Sequence, residues 1–149
     1  MGSSETLSIP GTAEGAARAA VAVRAWSDRH RLAADTRDRL LTVLDELLSN
    51  VVRHAVPRQP TAIEVTVSCD DGVLEARVAD EAAPFNPLAL PVPDTTSPLD
   101  TRQPGGLGVA LVKALSDGVR YQRAGNRNEV TVSWRLTHDP RDERPERDS

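Results

Sequence analysis

With 149 residues, a formal net charge of −4 and a pI near 5.4, the chain has the size of one domain and lacks the excess positive charge that a nucleic acid partner requires. No apolar run approaches the roughly 20 residues of a bilayer-spanning helix, and the single cysteine, Cys69, excludes an internal disulfide. We therefore expect a cytoplasmic protein with no nucleic acid and no membrane partner.

The first part of the chain predicts a short strand and two helices. Residues 6–10 predict the strand, which ends at the turn signal Pro10-Gly11. Helical spacing over residues 12–29 predicts the first helix, with Trp26 in the core, and residues 36–54 predict the second. The apolar face of the first helix consists of Ala16, Ala20, Val21, Val23 and Trp26, and that of the second of Leu40, Leu41, Leu44, Leu47, Leu48, Val51 and Val52.

A hairpin is predicted next. Apolar and polar residues alternate over residues 63–69, the turn signal Asp70-Asp71-Gly72 follows, and alternation resumes over residues 74–80. Because side chains alternate between the two faces of a strand, Asp80 has the same phase as Leu74, Ala76 and Val78. We expect a carboxylate at the end of a buried row.

The last part of the chain predicts a loop, a helix and a second hairpin. Residues 81–104 hold six of the eleven prolines, which indicates a lid-like loop. Gly105 to Gly108 open a short helix that ends at Asp117-Gly118, and strands over 119–123 and 130–136 flank a turn. We expect an α+β fold, a two-layer sandwich of a mixed, mostly antiparallel sheet with helices on one face, formed by residues 6–136 between disordered segments 1–5 and 137–149.

Two polar side chains lie on the same side of the second predicted helix. Glu46 and Asn50 are four residues apart, at the margin of the apolar stripe. Such groups are unfavourable to desolvate unless something polar, such as an ion or a ligand, contacts them. By itself, however, the pattern is better explained by a surface helix whose carboxylate pairs with Arg39, Arg53 or solvent.

Asp80 and the glycine run are also ambiguous by themselves. An aspartate at a strand end can cap the following loop, and a short glycine run can be a flexible connector. A helix opened by glycines would nevertheless present amides and a positive dipole to a phosphate. A P-loop is excluded because Lys113 is followed by Ala114, and a Rossmann fold because no parallel βαβ unit precedes the glycines.

Three segments in this order resemble the motifs of the GHKL ATPase superfamily, whose domain is the Bergerat ATP-binding fold. LDELLSNVVRHA resembles its asparagine-bearing helix, DEAAPFNP its aspartate box and GGLGVALVKALSD its second glycine box. Within the superfamily, the Asp-x-x-x-Pro-Phe-x-Pro form and the compact size are most similar to the anti-sigma-factor serine/threonine kinases. The resemblance covers about residues 6–136.

The resemblance implies a role for each matching residue. Asn50 would supply its carbonyl oxygen to Mg²⁺, Glu46 would act as the general base, and Asp80 would accept a hydrogen bond from the adenine amino group of ATP. Backbone amides of Gly106 and Gly108 would contact the phosphates. The matching boxes also place Ala82, Phe85, Gly105 and Leu107 in the nucleotide site. Asn128 stands near the position of a threonine in many family members, and its phase with Val130 predicts that it points inward as a polar contact of the nucleotide.

The resemblance also implies partners, and two alternatives remain open. A kinase of this type would phosphorylate an anti-sigma-factor antagonist of the STAS type, bind a sigma factor and form a homodimer. The first alternative is a GHKL domain that binds a partner without turnover, because Ala82 replaces the glycine usual in the aspartate box. The second is the detached catalytic domain of a histidine kinase. This alternative is disfavoured because no dimerising helix with a suitably placed histidine precedes residue 36.

Overall fold

The computed structural model describes residues 2–54, 62–81, 88 and 106–136. Three α-helices lie in this part of the chain: α1 (Ala13–Arg29), α2 (Ala34–His54) and α3 (Gly106–Leu115). The strands in the same part are β1 (Ser3–Pro10), β2 (Ala62–Asp70), β3 (Val73–Asp80), β4 (Gly118–Ala124) and β5 (Arg127–Arg135). Most of the predicted lid, Gly105 and the segment 137–149 lie outside the described residues.

The five strands form one sheet in the order β1-β2-β3-β5-β4, and each neighbouring pair is antiparallel. Two hairpins account for β2–β3 and β4–β5, and the central pair joins β3 to β5. Asp71 and Gly72 have φ angles of 50° and 73°, so they form the tight turn that the sequence predicts between β2 and β3. The predicted α+β sandwich is confirmed.

One face of the sheet carries the core. Along β2, Ile63, Val65, Val67 and Cys69 are buried, whereas the residues between them are half-buried, and β5 alternates in the same way. The helices cover this inner face, since side chains from α1, α2 and α3 join the same cluster. Its largest fully buried side chains are Trp26, Leu40, Leu44, Leu48, Ile63 and Leu74. No described helix has the length and apolarity needed to cross a bilayer.

Strand β1 is longer than predicted. It begins at Ser3, whereas the sequence analysis started the strand at residue 6. The added residues continue the ladder with β2, in which Ser3 pairs with Cys69 and Pro10 with Ala62. Pairing with the regular neighbouring strand therefore extends β1 into a polar segment whose composition alone does not predict a strand.

The predicted apolar face of α1 needs one correction. Val21 is 71% exposed, while Ala19, Val23 and Trp26 are buried. At 100° per residue, Val21 points almost opposite to Ala19 and Val23, so the three cannot share one face. The helix begins after Thr12, whose side-chain oxygen accepts a hydrogen bond from the Gly15 amide at 3.1 Å.

Candidate functional site

The predicted site residues lie in the parts of α2, β3 and α3 that are away from one end of the sandwich. That end is marked by a groove of about 460 Å³ that is lined by the start of α2, the end of α3 and the end of β5. Helices α2 and α3 contact each other, and the start of one lies with the end of the other at this groove, so they run in opposite directions. The first turn of α3, the later half of α2 and the end of β3 consequently lie away from this groove.

Simple lengths show how far the site residues lie from the groove. At 1.5 Å per residue, Asn50 is about 24 Å along α2 from Ala34. At 3.3 Å per residue, Asp80 is about 23 Å along β3 from Val73, so the two residues are at a similar height above the groove. Helix α3 is shorter, about 14 Å over its ten residues, and its first turn is the part of it that lies farthest from the groove.

Asn50 is the most unusual of these residues. Its side chain is 4% exposed, and within the described part of the chain neither Oδ1 nor Nδ2 has a hydrogen-bond partner. A buried amide left unsatisfied destabilises a fold by about 1–3 kcal/mol, so such a group calls for an explanation. A ligand or ion bound at the amide would satisfy it.

Glu46 lies one turn before Asn50 on α2 and is half-buried. Its neighbour Asp45 is exposed, so the two consecutive carboxylates point in different directions. Glu46 therefore keeps access to solvent while it borders the buried Asn50 side chain on the same face of the helix.

Asp80 ends β3 on the inner face, as its phase predicts, and is 6% exposed. It pairs in register with Asn128 of β5, which is 4% exposed. The Asn128 Nδ2 donates a hydrogen bond to Asp80 Oδ1 at 3.2 Å. The predicted inward direction of Asn128 is therefore correct, and the structure brings the two residues into direct contact.

The edge strand β4 contributes two residues that the sequence analysis did not identify. The hydroxyl of Tyr121 donates to Asn128 Oδ1 at 2.6 Å, and Nη1 of Arg123 donates to the same oxygen at 3.2 Å. The two residues have the same phase on β4, which the sequence shows. Their proximity to Asn128 depends on the β4–β5 register, which a single sequence does not provide.

The glycine-led segment forms the first turn of α3, which begins at Gly106 and includes Leu107 and Gly108. The first four amides of a helix have no partner within the helix, and the dipole is positive there. This turn can therefore bind an anion through its backbone. Gly105, Ala82 and Phe85, which the resemblance also assigned to the site, lie outside the described residues.

The available ligand atoms suit Mg²⁺, which also takes water and phosphate ligands, better than a metal ion that is coordinated by protein side chains alone. Among the described residues, no group of three or more His, Cys, Asp or Glu side chains could hold a metal ion. Mg²⁺ usually keeps several waters and takes one or two protein oxygens together with substrate phosphates. The unsatisfied Oδ1 of Asn50 is an oxygen of this kind.

Two comparisons with known proteins cover most of the chain. Residues 9–134 match the family model described as a histidine kinase-like ATPase domain. The serine/threonine-protein kinase BtrW of Bordetella bronchiseptica is 32% identical over 130 residues, which cover 87% of this chain and 92% of that protein.

Two solved structures share the fold at low sequence identity. The RsbU and RsbW domains of Rv1364c from Mycobacterium tuberculosis match with a TM-score of 0.66 and 17% identity, over 90% of this chain and 32% of that chain. This chain thus spans about a third of that longer protein. The SiaB-SiaC complex from Pseudomonas aeruginosa matches with a TM-score of 0.55 and 14% identity, over 87% and 88% of the two chains.

Proposed function

This chain belongs to the histidine kinase-like ATPase family, and from that premise we propose that it binds Mg-ATP and phosphorylates a serine or threonine of an anti-sigma-factor antagonist. The observation that carries the proposal is Asn50, a buried amide with no hydrogen-bond partner in the regions that the structure describes, on the same helix face as Glu46. A kinase needs an oxygen ligand for its metal and a carboxylate for the attacking hydroxyl, and this helix offers both.

Each group of the site has one task in this proposal. Asn50 would hold Mg²⁺ through Oδ1, and the ion would supply positive charge against the ATP phosphates. Glu46 accepts a hydrogen bond from the substrate hydroxyl and orients it toward the γ-phosphorus. Asp80 accepts a hydrogen bond from the adenine amino group, and the first turn of α3 binds phosphate oxygens through its amides. Transfer then depends mainly on positioning and charge.

The partners follow from the kind of kinase. The substrate that we propose is an antagonist protein of the STAS type, and the second partner is a sigma factor. We further propose that the chain is a cytoplasmic homodimer. The kinase name of the BtrW relative, at 32% identity over nearly the whole chain, supports the enzyme class.

The experiment is transfer of labelled γ-phosphate from Mg-ATP to a cognate antagonist. Replacement Glu46→Gln keeps the size of the side chain and removes its charge, so we expect the transfer rate to fall by about 100-fold or more while ATP still binds. Asp45→Asn is the matched control, because that carboxylate is exposed and adjacent in sequence. Equal rates for Glu46→Gln and the unchanged protein would remove Glu46 from the mechanism.

The same assay separates the kinase from a binding module that lacks turnover. Ala82, at a position where the family usually has glycine, is the feature that favours the module. Calorimetric binding of Mg-ATP without any labelling of the antagonist would support the module. No binding at millimolar nucleotide would contradict both the kinase and the nucleotide-binding form of the module.

A further inference from the structure

The carboxamide of Asn128 is bonded at both of its ends. Its Oδ1 accepts from Tyr121 and Arg123, and its Nδ2 donates to Asp80. An arginine side chain can only donate, and an ionised carboxylate can only accept. The two ends of the amide are therefore distinguishable, and only one orientation satisfies its neighbours on both sides.

The four side chains occupy one continuous stretch of the inner face. Arg123 pairs in register with Asn128, and Asn128 pairs in register with Asp80, so three neighbouring strands present them side by side. Tyr121 precedes Arg123 by two residues and points to the same face. Both Asp80 and Asn128 are buried, which limits competition from water for these hydrogen bonds.

We infer that Tyr121 and Arg123 are positioning residues for adenine recognition, which they control through Asn128 and Asp80. The inference rests on the proposed function, in which Asp80 accepts a hydrogen bond from the adenine amino group. By holding Oδ1 of Asn128, the two β4 residues turn Nδ2 toward Asp80. The amide then fixes the direction in which the carboxylate faces the base.

The opposite orientation of the amide shows why the two donors matter. If the Asn128 amide were reversed, its Oδ1 would face Asp80 Oδ1, and two acceptors would oppose each other at a distance of about 3 Å. The carboxylate would rotate away, and its alignment with the 6-amino group of adenine would be lost. The two donors on β4 therefore influence how the protein recognises the amino group of adenine, and they leave its contacts with the sugar and the phosphates unchanged.

The test compares Mg-ATP with purine riboside triphosphate, which carries hydrogen in place of the 6-amino group. The ratio of the two dissociation constants isolates the hydrogen bond to Asp80. Tyr121→Phe removes a single oxygen and keeps the ring, which packs against the core. We expect this change to reduce the preference for ATP by about three- to tenfold and to leave the affinity for the analogue within about twofold.

A double-mutant cycle shows whether Tyr121 acts through Asn128. Asn128→Ala should abolish most of the preference for ATP, and Tyr121→Phe should add nothing further in that background. Arg120→Gln is the matched control, since Arg120 lies on the outer face of β4 and pairs with Glu75 at 3.6 Å. We expect this control to keep the full preference for ATP.

Three results would overturn the inference. If Tyr121→Phe weakened the binding of both nucleotides equally, Tyr121 would have a general structural role. If it changed neither dissociation constant, Tyr121 would have no role. A further loss caused by Tyr121→Phe in the Asn128→Ala background would show that Tyr121 contacts the base itself.

A second measurement needs no nucleotide and separates this inference from the proposed function. In the NMR spectrum, the side-chain amide signals of Asn128 should shift strongly in Tyr121→Phe and stay in place in Arg120→Gln. Unchanged Asn128 signals in Tyr121→Phe would disprove the fixed amide even if ATP binds. Absence of ATP binding by the unchanged protein would instead disprove the proposed function and, with it, the role of the amide in recognition.

Discussion

Two asparagines on neighbouring elements are each 4% exposed but have different surroundings. Asn128 has hydrogen-bond partners for both ends of its amide, whereas among the residues that the structure describes Asn50 has none for either. A satisfied buried amide stabilises a fold, and an unsatisfied one destabilises it. In the proposed function, Asn128 supports the site and Asn50 contacts the bound metal.

This contrast predicts opposite effects of the same substitution. Asn50→Leu has nearly the same volume and removes the unsatisfied amide, so we expect the nucleotide-free protein to become more stable by about 1–3 kcal/mol. Mg-dependent ATP binding should be lost in that variant, as is common when a functional polar group is replaced by an apolar one. Chemical denaturation without nucleotide and calorimetry with Mg-ATP measure the two effects.

Asn128→Leu is the control for the prediction on Asn50. It leaves the Tyr121 hydroxyl and the Asp80 carboxylate without their partner, so we expect it to lower stability by about 1–3 kcal/mol. A loss of stability in Asn50→Leu similar to that in Asn128→Leu would show that Asn50 is an ordinary structural residue.

At the residue scale, the period of a strand or helix was enough to place several site residues. Strand alternation correctly predicted that Asp80 and Asn128 point to the core, and helical spacing put Glu46 and Asn50 on one side of α2. Tyr121 and Arg123 could not be identified in this way. Their role depends on which residue of β5 stands opposite them, and the register is set by pairing across the sheet.

At the scale of elements, the position of α1 depends on close contact with the end of β1. Gly15 is buried in the first turns of α1, and a Cβ atom at this residue would lie 2.0 Å from the Pro10 carbonyl oxygen. The helix can approach the strand this closely only because residue 15 has no side chain. The sequence analysis gave no role to Gly15, since the contact arises from tertiary packing.

Gly15→Ala should therefore destabilise the protein although alanine favours helices. Helix propensity alone would stabilise the variant by about 1 kcal/mol. The contact with a backbone oxygen cannot be relieved by rotating a side chain, so we expect a net loss of about 1–3 kcal/mol. The denaturation midpoint should fall at an unchanged m value.

Ala17→Gly is a suitable comparison because residue 17 is exposed on the same helix. It should lose about 1 kcal/mol through propensity alone, with no effect of packing. If Gly15→Ala were as stable as the unchanged protein or more so, α1 would not be held against β1 by this contact.

The types of the elements followed from local patterns, whereas their ends often did not. Alternation and helical spacing identified all the strands and helices of the described residues, and Pro10-Gly11 and Asp70-Asp71-Gly72 marked two of the breaks. Helix α2 begins at Ala34, two residues before the predicted start, and β1 begins at Ser3. Val21 was assigned to the wrong face because any valine near an apolar stripe resembles part of it.

At the scale of the whole molecule, the site depends on the order of the strands. Strand β5 lies between β3 and β4, although β4 precedes it in the chain, and this arrangement sets Asn128 beside Asp80. No local sequence pattern predicts which strand pairs with the edge of β3 that faces away from β2. The resemblance to GHKL proteins supplied the fold, and the family match over residues 9–134 supports it.

The opposite directions of α2 and α3 matter for the proposed site. With the start of α2 and the end of α3 at the groove, the residues proposed for metal and phosphate binding lie in the parts of the two helices that are away from it. In the proposed function, one nucleotide contacts α2, β3 and α3 together. The proposed kinase activity depends on this shared position more than on any single residue.

The most direct measurement is a crystal structure of the chain with Mg²⁺ and a non-hydrolysable ATP analogue. We expect Asn50 Oδ1 within about 2.0–2.1 Å of the metal, the 6-amino group of adenine at Asp80 and the phosphates at the first turn of α3. A nucleotide bound at the groove near Arg39, or one bound elsewhere with Asn50 still lacking a ligand, would contradict the proposal that these groups form one ATP site.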